Sequence, residues 1–167
     1  MSIAPLATRI AIKNVTPDVS SAMSALHRAA LAAAKAADIE PELLQLIKIR
    51  ASQINGCSLS LGRHTRSARA MGDSEERIRE VRAWRNSKLF TPRERAALSL
   101  TEAITLVFAG QVPNAVYTEA ASLFEETQLA ALIWAATVIN AHNRIAITTR
   151  LEGSGAPPAA SRPGAGG

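Results

Sequence analysis

Arg50-Ala51-Ser52-Gln53-Ile54-Asn55-Gly56-Cys57-Ser58-Leu59-Ser60-Leu61-Gly62-Arg63-His64 decides how this chain is read. Before it, Glu40-Pro41 opens a helical stretch carrying Leu43, Leu44, Ile47 and Ile49 as far as Ile54. Asn55-Gly56 is a strong helix-breaking pair. After it a second helix opens at Cys57, passes Met71 and stops at Gly72, where glycine favours a helix end. Cys57, Ser60 and His64 stand at spacings of three, four and seven residues, so they share one helix face. The turn folds the preceding helix, with Gln45 and Lys48, back towards them. This arrangement predicts a small polar pocket between two helices. In the first turn, unpaired backbone N–H groups and the helix dipole favour a thiolate at Cys57. Four residues bring the His64 imidazole within reach of the Ser60 hydroxyl. Two plainer readings stay open beside these. Cys57 serves equally as a small buried hydrophobe, and Ser60 as a hydroxyl bonded back to a carbonyl of its own helix.

Outward from this stretch the pattern is helical throughout. Residues 1–15 read as extended or irregular, with Ile10, Ile12 and Val15 alternating. Thr16-Pro17 supplies an N-cap and a first-position proline. The helix that follows runs to about residue 37, with Val19, Met23, Leu26, Ala30 and Ala33/Ala34 on one face. Asp73 is placed to cap a helix whose stripe is Ile78, Val81 and Trp84. Thr91-Pro92-Arg93-Glu94 is a capping box. It launches a helix through Ala97, Leu100, Ile104 and Val107, ended by Gly110. Val112-Pro113 restarts a short helix to about Phe124, and a last helix covers about 127–150. The expected architecture is an all-α bundle of about six or seven helices, one domain over 1–150. Residues 151–167, rich in glycine, proline and alanine, read as a disordered tail.

Composition agrees and excludes several functions. Of the 167 residues, 47% are hydrophobic and only 4% aromatic, with alanine prominent. Small residues permit close helix packing. The formal charge is +5, but basic residues alternate with acidic and apolar ones, as in Arg77-Ile78-Arg79-Glu80-Val81-Arg82. That is a solvated helix face, with none of the patterns that read nucleic acid. A single cysteine excludes an intramolecular disulfide and suits a reducing cytoplasm. No signal segment stands at the N-terminus. The longest apolar run, 129–139, is too short to span a bilayer and contains Thr137. His27, His64 and His142 lack metal-ligand spacing. No glycine loop cradles a phosphate, and no cofactor is expected.

The quoted stretch resembles the core motif of the alkylhydroperoxidase D-like, or carboxymuconolactone decarboxylase, family. In redox-active members that motif reads Glu…Arg-x-Ser-x-x-Asn-Gly-Cys-x-x-Cys-x-x-x-His. The likeness extends to Ala83-Trp84-Arg85-Asn86-Ser87-Lys88-Leu89-Phe90-Thr91-Pro92-Arg93-Glu94-Arg95-Ala96-Ala97-Leu98 and to Thr101-Glu102-Ala103. Val138-Ile139-Asn140-Ala141-His142-Asn143-Arg144 is similar to the family's Ile-Asn-x-Trp-Asn-Arg, with His142 in the tryptophan position. Together these segments span roughly residues 35–150. Asn140, Asn143 and Arg144 are read as interhelical hydrogen-bonding residues at a packing or subunit interface, and His142 as an interface histidine, with a place lining the pocket as its alternative.

The resemblance implies an alkylhydroperoxidase D-like fold and a set of roles. In the family's thiol chemistry the second motif cysteine attacks peroxide, histidine and glutamate relay protons, and the first cysteine resolves the sulfenic acid. Carried over, Cys57 takes the resolving position, Ser60 the attacking position, His64 the relay histidine and Gln45 the relay glutamate. A serine hydroxyl cannot form a sulfenic acid, and Gln45 can orient His64 but cannot shuttle its proton. The first expectation is an antioxidant peroxidase, weakened, with an external thiol reductant. Another is a cofactor-free decarboxylase-like lyase or hydrolase for a lactone-like substrate. A third is a non-catalytic oligomeric binding protein. The resemblance further implies a trimer or hexamer. The final helix, apolar nearly all round at Ala130, Ala131, Leu132, Trp134, Ala135 and Val138, predicts cover by a neighbouring subunit.

Overall fold

The computed structural model describes residues 9–151. Every regular element among them is helical. In chain order these are α1 (Ile12–Val15), α2 (Pro17–Ala36), α3 (Pro41–Asn55), α4 (Ser58–Ala70), α5 (Glu75–Glu80), α6 (Pro92–Thr105), α7 (Asn114–Leu123) and α8 (Glu126–Thr149). Short 3-10 segments follow α5 (Val81–Asn86) and α6 (Val107–Ala109). Among the described residues no helix is long and apolar enough to cross a membrane.

The centre of the bundle is α3, which packs against α4, α6 and α8. Leu46, Ile47 and Ile49 are sealed from solvent, and burial is continuous from Leu43 to Ile49. Each such aliphatic side chain contributes about 1.5–3 kcal/mol on burial. Continuous burial leaves α3 no solvent face, so Gln45 and Lys48 are carried inside with it. Gly56 ends α3 in the left-handed region at φ 68°. A Cβ there would meet nothing within 4 Å, so only backbone strain, about 1–2 kcal/mol, opposes substitution. The chain then reverses directly into α4.

Several sequence expectations hold at their caps. Thr91 and Glu94 form the capping box of α6, with Pro92 in its first turn. Other expectations are corrected. Residues 12–15 are helical rather than extended, and residues 1–8 lie outside the described residues. Thr16 does not cap α2, because its hydroxyl donates back to the Ile12 carbonyl at 3.1 Å. Ser74, not Asp73, caps α5 by accepting from Arg77 N at 3.1 Å. Asp73 instead pairs with Arg77 at 2.8 Å. The helix of Trp84 tightens to 3-10 geometry, and α6 stops at Thr105, leaving Val107 51% exposed. On α2 only Ala30 and Ala34 are buried, while Val19 is 67% exposed. The N-terminal half of α2 walls a cavity instead of packing on the core. The tail read over 151–167 lies, apart from Leu151, outside the described residues.

α8 is covered largely within its own chain. Ala131, Leu132, Ala135 and Val138 are buried, whereas Ala130 and Trp134 are exposed. Asn140 locks α8 to two neighbours: it accepts from Asn55 Nδ2 at 2.8 Å and donates to Thr105 Oγ1 at 3.0 Å. Ser52 donates to Asn143 Oδ1 at 3.3 Å. Arg144 turns back on Asn140 within α8. Asn140 and Asn143 therefore do the interhelical work expected of them.

Glu102 on α6 gathers three further segments. It accepts from Arg50 Nε at 2.7 Å and Trp84 Nε1 at 2.8 Å, and it pairs with Arg85. Burial alone would raise its carboxyl pKa, but the bonds from Trp84, Arg85 and Arg50 outweigh burial and hold it below the usual carboxylate range. Its contribution is therefore present above the unfolded carboxylate value and lost as pH falls through the folded one. Glu102→Ala strands Arg50 and Trp84 and is expected to lower unfolding free energy by about 3–5 kcal/mol. Urea denaturation checks this, and a loss below about 1 kcal/mol would mean that solvent already satisfies the site.

Candidate functional site

α4 starts one residue later than its sequence suggested, with Cys57 as N-cap rather than first-turn residue. The Cys57 side chain is 0% exposed and does not line any cavity described below. The serine three residues on behaves differently. Ser60 sits on a cavity wall and makes no side-chain hydrogen bond among the described residues, neither to its own helix nor to His64.

His64, one turn further, meets α3. Its Nδ1 lies 3.0 Å from Gln45 Oε1. With the Gln45 amide oxygen turned to the ring, Nδ1 carries the proton and Nε2 keeps the lone pair. Gln45 itself is buried behind the ring. The Gln45–His64 contact predicted from the Asn55-Gly56 reversal is thus present, and Lys48 joins Ser60 and His64 on the same cavity.

That cavity has a volume of about 500 Å³ and lies between α1, α2, α3, α4 and α8. It is wider than the two-helix pocket read from sequence. It collects all three histidines of the chain. His27 and His142 meet edge-to-face, with ring centroids 5.4 Å apart at 88°. His142 Nε2 is buried without a hydrogen-bond partner. Lys13, Arg28, Lys48 and Arg63 also line the cavity, and no described aspartate or glutamate does. Among the described residues no group of His, Cys, Asp and Glu could hold a metal ion.

The electrostatics follow from this lining. Burial first, then the positive charges of Lys48 and Arg63 and the neighbouring His27 and His142, push His64 down to about 3. His27 is lowered by burial, then by Lys48 and Arg63. His142 is lowered by burial, then by His27, Arg63 and Lys13. Burial lowers Lys48 as well, and no described carboxylate pairs with it. The histidines are neutral near pH 7, inside a field that favours anions.

His27 is not legible as a site residue, and His142 is legible only as the alternative to an interface histidine. His27 lies four residues from Met23 on one α2 face, and His142 lies on α8. Neither is near the motif in sequence, and only the packing of α2 on α8 brings their rings together.

The chain matches the model of the carboxymuconolactone decarboxylase family over residues 17–103. It is 40% identical over 113 residues to the uncharacterized protein YdfG of Bacillus subtilis, across 68% of this chain and 77% of that one. A crystal structure from Agrobacterium tumefaciens superimposes with a TM-score of 0.78 at 30% identity, covering 86% of this chain and 96% of the other. That protein, ATU0492, is of unknown function and named as a candidate antioxidant defence protein AhpD.

Depressed histidines have a measurable sign. Between the ordinary value of 6.5 and about 3, the unfolded chain binds a proton at His64 that the folded chain refuses. Stability is therefore full above 6.5 and falls as pH drops, by about 1.4 kcal/mol per pH unit for His64 alone. The His64 ring is expected to show no NMR titration near 6.5. Gln45→Glu, which puts a carboxylate on Nδ1, should move that titration upward. A wild-type His64 titrating near 6.5 would contradict the cavity electrostatics.

Proposed function

The chain belongs to the carboxymuconolactone decarboxylase family, and we propose that within it this chain works by cofactor-free acid–base chemistry of the lyase type on a small anionic substrate, not as a thiol peroxidase. One observation carries the reading: Cys57 is sealed away while Ser60, His64 and Lys48 line the cavity. A peroxide entering the cavity meets a serine hydroxyl, which cannot be oxidised to a sulfenic acid. The antioxidant name of the Agrobacterium protein belongs to that protein.

The roles follow from the geometry. Gln45 holds Nδ1–H, so Nε2 is the proton acceptor. A proton leaves a substrate C–H for Nε2, and its electron pair remains on the substrate as an enolate. The Ser60 hydroxyl donates to that negative charge, and the Lys48 ammonium holds the substrate's own anionic group. At a pKa of about 3, His64 is a poor base in the empty cavity. An anionic substrate offsets the field of Lys48 and Arg63 and raises the basicity of the ring, so the base becomes competent with its substrate in place.

The same reading includes a homo-oligomer, trimeric or hexameric, in the reducing cytoplasm that a single-cysteine chain suits. Trp134 at 49% exposed and Ile147 at 41% exposed are the apolar α8 positions a second subunit would cover. Light scattering after size exclusion is expected to give a multiple of the monomer mass.

Peroxide consumption with dithiothreitol or a lipoyl donor is expected to be slow and unchanged in Cys57→Ala. Ser60→Cys puts a thiol on the cavity wall and should raise it. In a panel of lactone and keto acids, His64→Gln is expected to lower turnover about 100-fold or more. Fast lipoyl-dependent peroxide turnover, abolished by Cys57→Ala, would overturn the proposal.

A further inference from the structure

We propose that the cavity binds a monocarboxylate with an extended apolar body, a medium-chain fatty or arylalkyl acid, its carboxylate on Lys48. The inference rests on this cavity being the working site, and it names the ligand class. Lys48 is 6% exposed and has no carboxylate partner among the described residues. A buried ammonium without a counter-charge is costly to keep. Among the described residues the lining supplies three further cations and no carboxylate, which leaves the counter-charge to a ligand. A second group waits beside it: the partnerless, buried Nε2 of His142.

Size and wall chemistry define the rest of the ligand. About 500 Å³ falls within the range of about 300–1,000 Å³ that holds drug-sized molecules, far more than a bare carboxylate fills. Val19, Met23, Leu31, Leu44, Leu59 and Ile139 present hydrocarbon to that space. Val19 and Leu31 are exposed on α2, where a globular core would have buried them, so an apolar ligand body gives them cover. A phosphate head fits less well. A doubly charged phosphate is best answered by several converging donors, whereas the one buried cation here is Lys48 and Arg63 lies exposed.

The test is calorimetric titration of the full chain with decanoate, decanol and decyl phosphate. Decanoate is expected to bind at least about tenfold more tightly than either of the others. Lys48→Met keeps the stem volume and removes the buried charge, so it should fold with an unchanged or raised melting temperature. It should weaken decanoate about tenfold or more and leave decanol unchanged. Equal binding of decanoate and decanol, tighter binding of decyl phosphate, decanoate binding that survives Lys48→Met, or no binding at all would each overturn the inference. The catalytic reading fails separately. Lys48-dependent decanoate binding with no turnover in the acid panel keeps this inference and sinks that one. His64-dependent turnover of acids without decanoate binding does the reverse.

Discussion

Burial of α3 on every side is the constraint from which the rest of this structure follows. A helix packed against α4, α6 and α8 at once has no solvent face to spare for its polar residues. Each of them must find a partner inside, as Arg50 finds Glu102 and Ser52 finds Asn143. Gln45 finds His64. Lys48 finds no partner among the described residues, and the cavity opens where it lies. The site is the place where the packing of the central helix leaves a charge unanswered. Sealed Leu46, Ile47 and Ile49 supply the burial that offsets its cost.

The positive field and the neutral histidines are two consequences of one arrangement. Three imidazoles sit near Lys48 and Arg63, so protonation of any one is opposed by its neighbours as well as by burial. A glutamate in place of Gln45 would anchor a positive charge on His64. The amide that stands there holds the ring by the same atom without adding charge. Gln45 thus holds a ring that stays neutral, as the proposed base requires. No described aspartate or glutamate lines the cavity to answer that field.

The Ser60 position is where this chain departs from the two-cysteine motif it resembles. The motif's first cysteine is retained, but as the sealed N-cap of α4 it packs like any small hydrophobe. The position on the cavity wall belongs to a hydroxyl. A scaffold with a hairpin of two helices, a histidine held from behind and a sealed apolar core can host either thiol or acid–base chemistry. On the proposed reading, the Ser60 hydroxyl on the cavity wall favours the acid–base alternative.

Much of the fold was legible from local signals. Glu40-Pro41, Asn55-Gly56, and Thr91-Pro92 with Glu94 each fix a helix end through backbone geometry or a cap that lies within four residues of itself. The spacing of Ser60 and His64 fixed their common face, and the reversal at Gly56 directed that face to Gln45. Local signals misled where two nearby residues competed, as when Ser74 took the cap expected of Asp73. They misled again where an apolar stripe met a cavity, as on α2. Sequence by itself determined the helices, their reversal and the pairing across α3 and α4, because those depend on interactions between near neighbours. Only the tertiary structure decided that Cys57 is sealed, that His27 and His142 meet beside His64, and that no described carboxylate answers Lys48. Burial and long-range charge are properties of the space between helices, and that space exists only once α2 and α8 have closed around it.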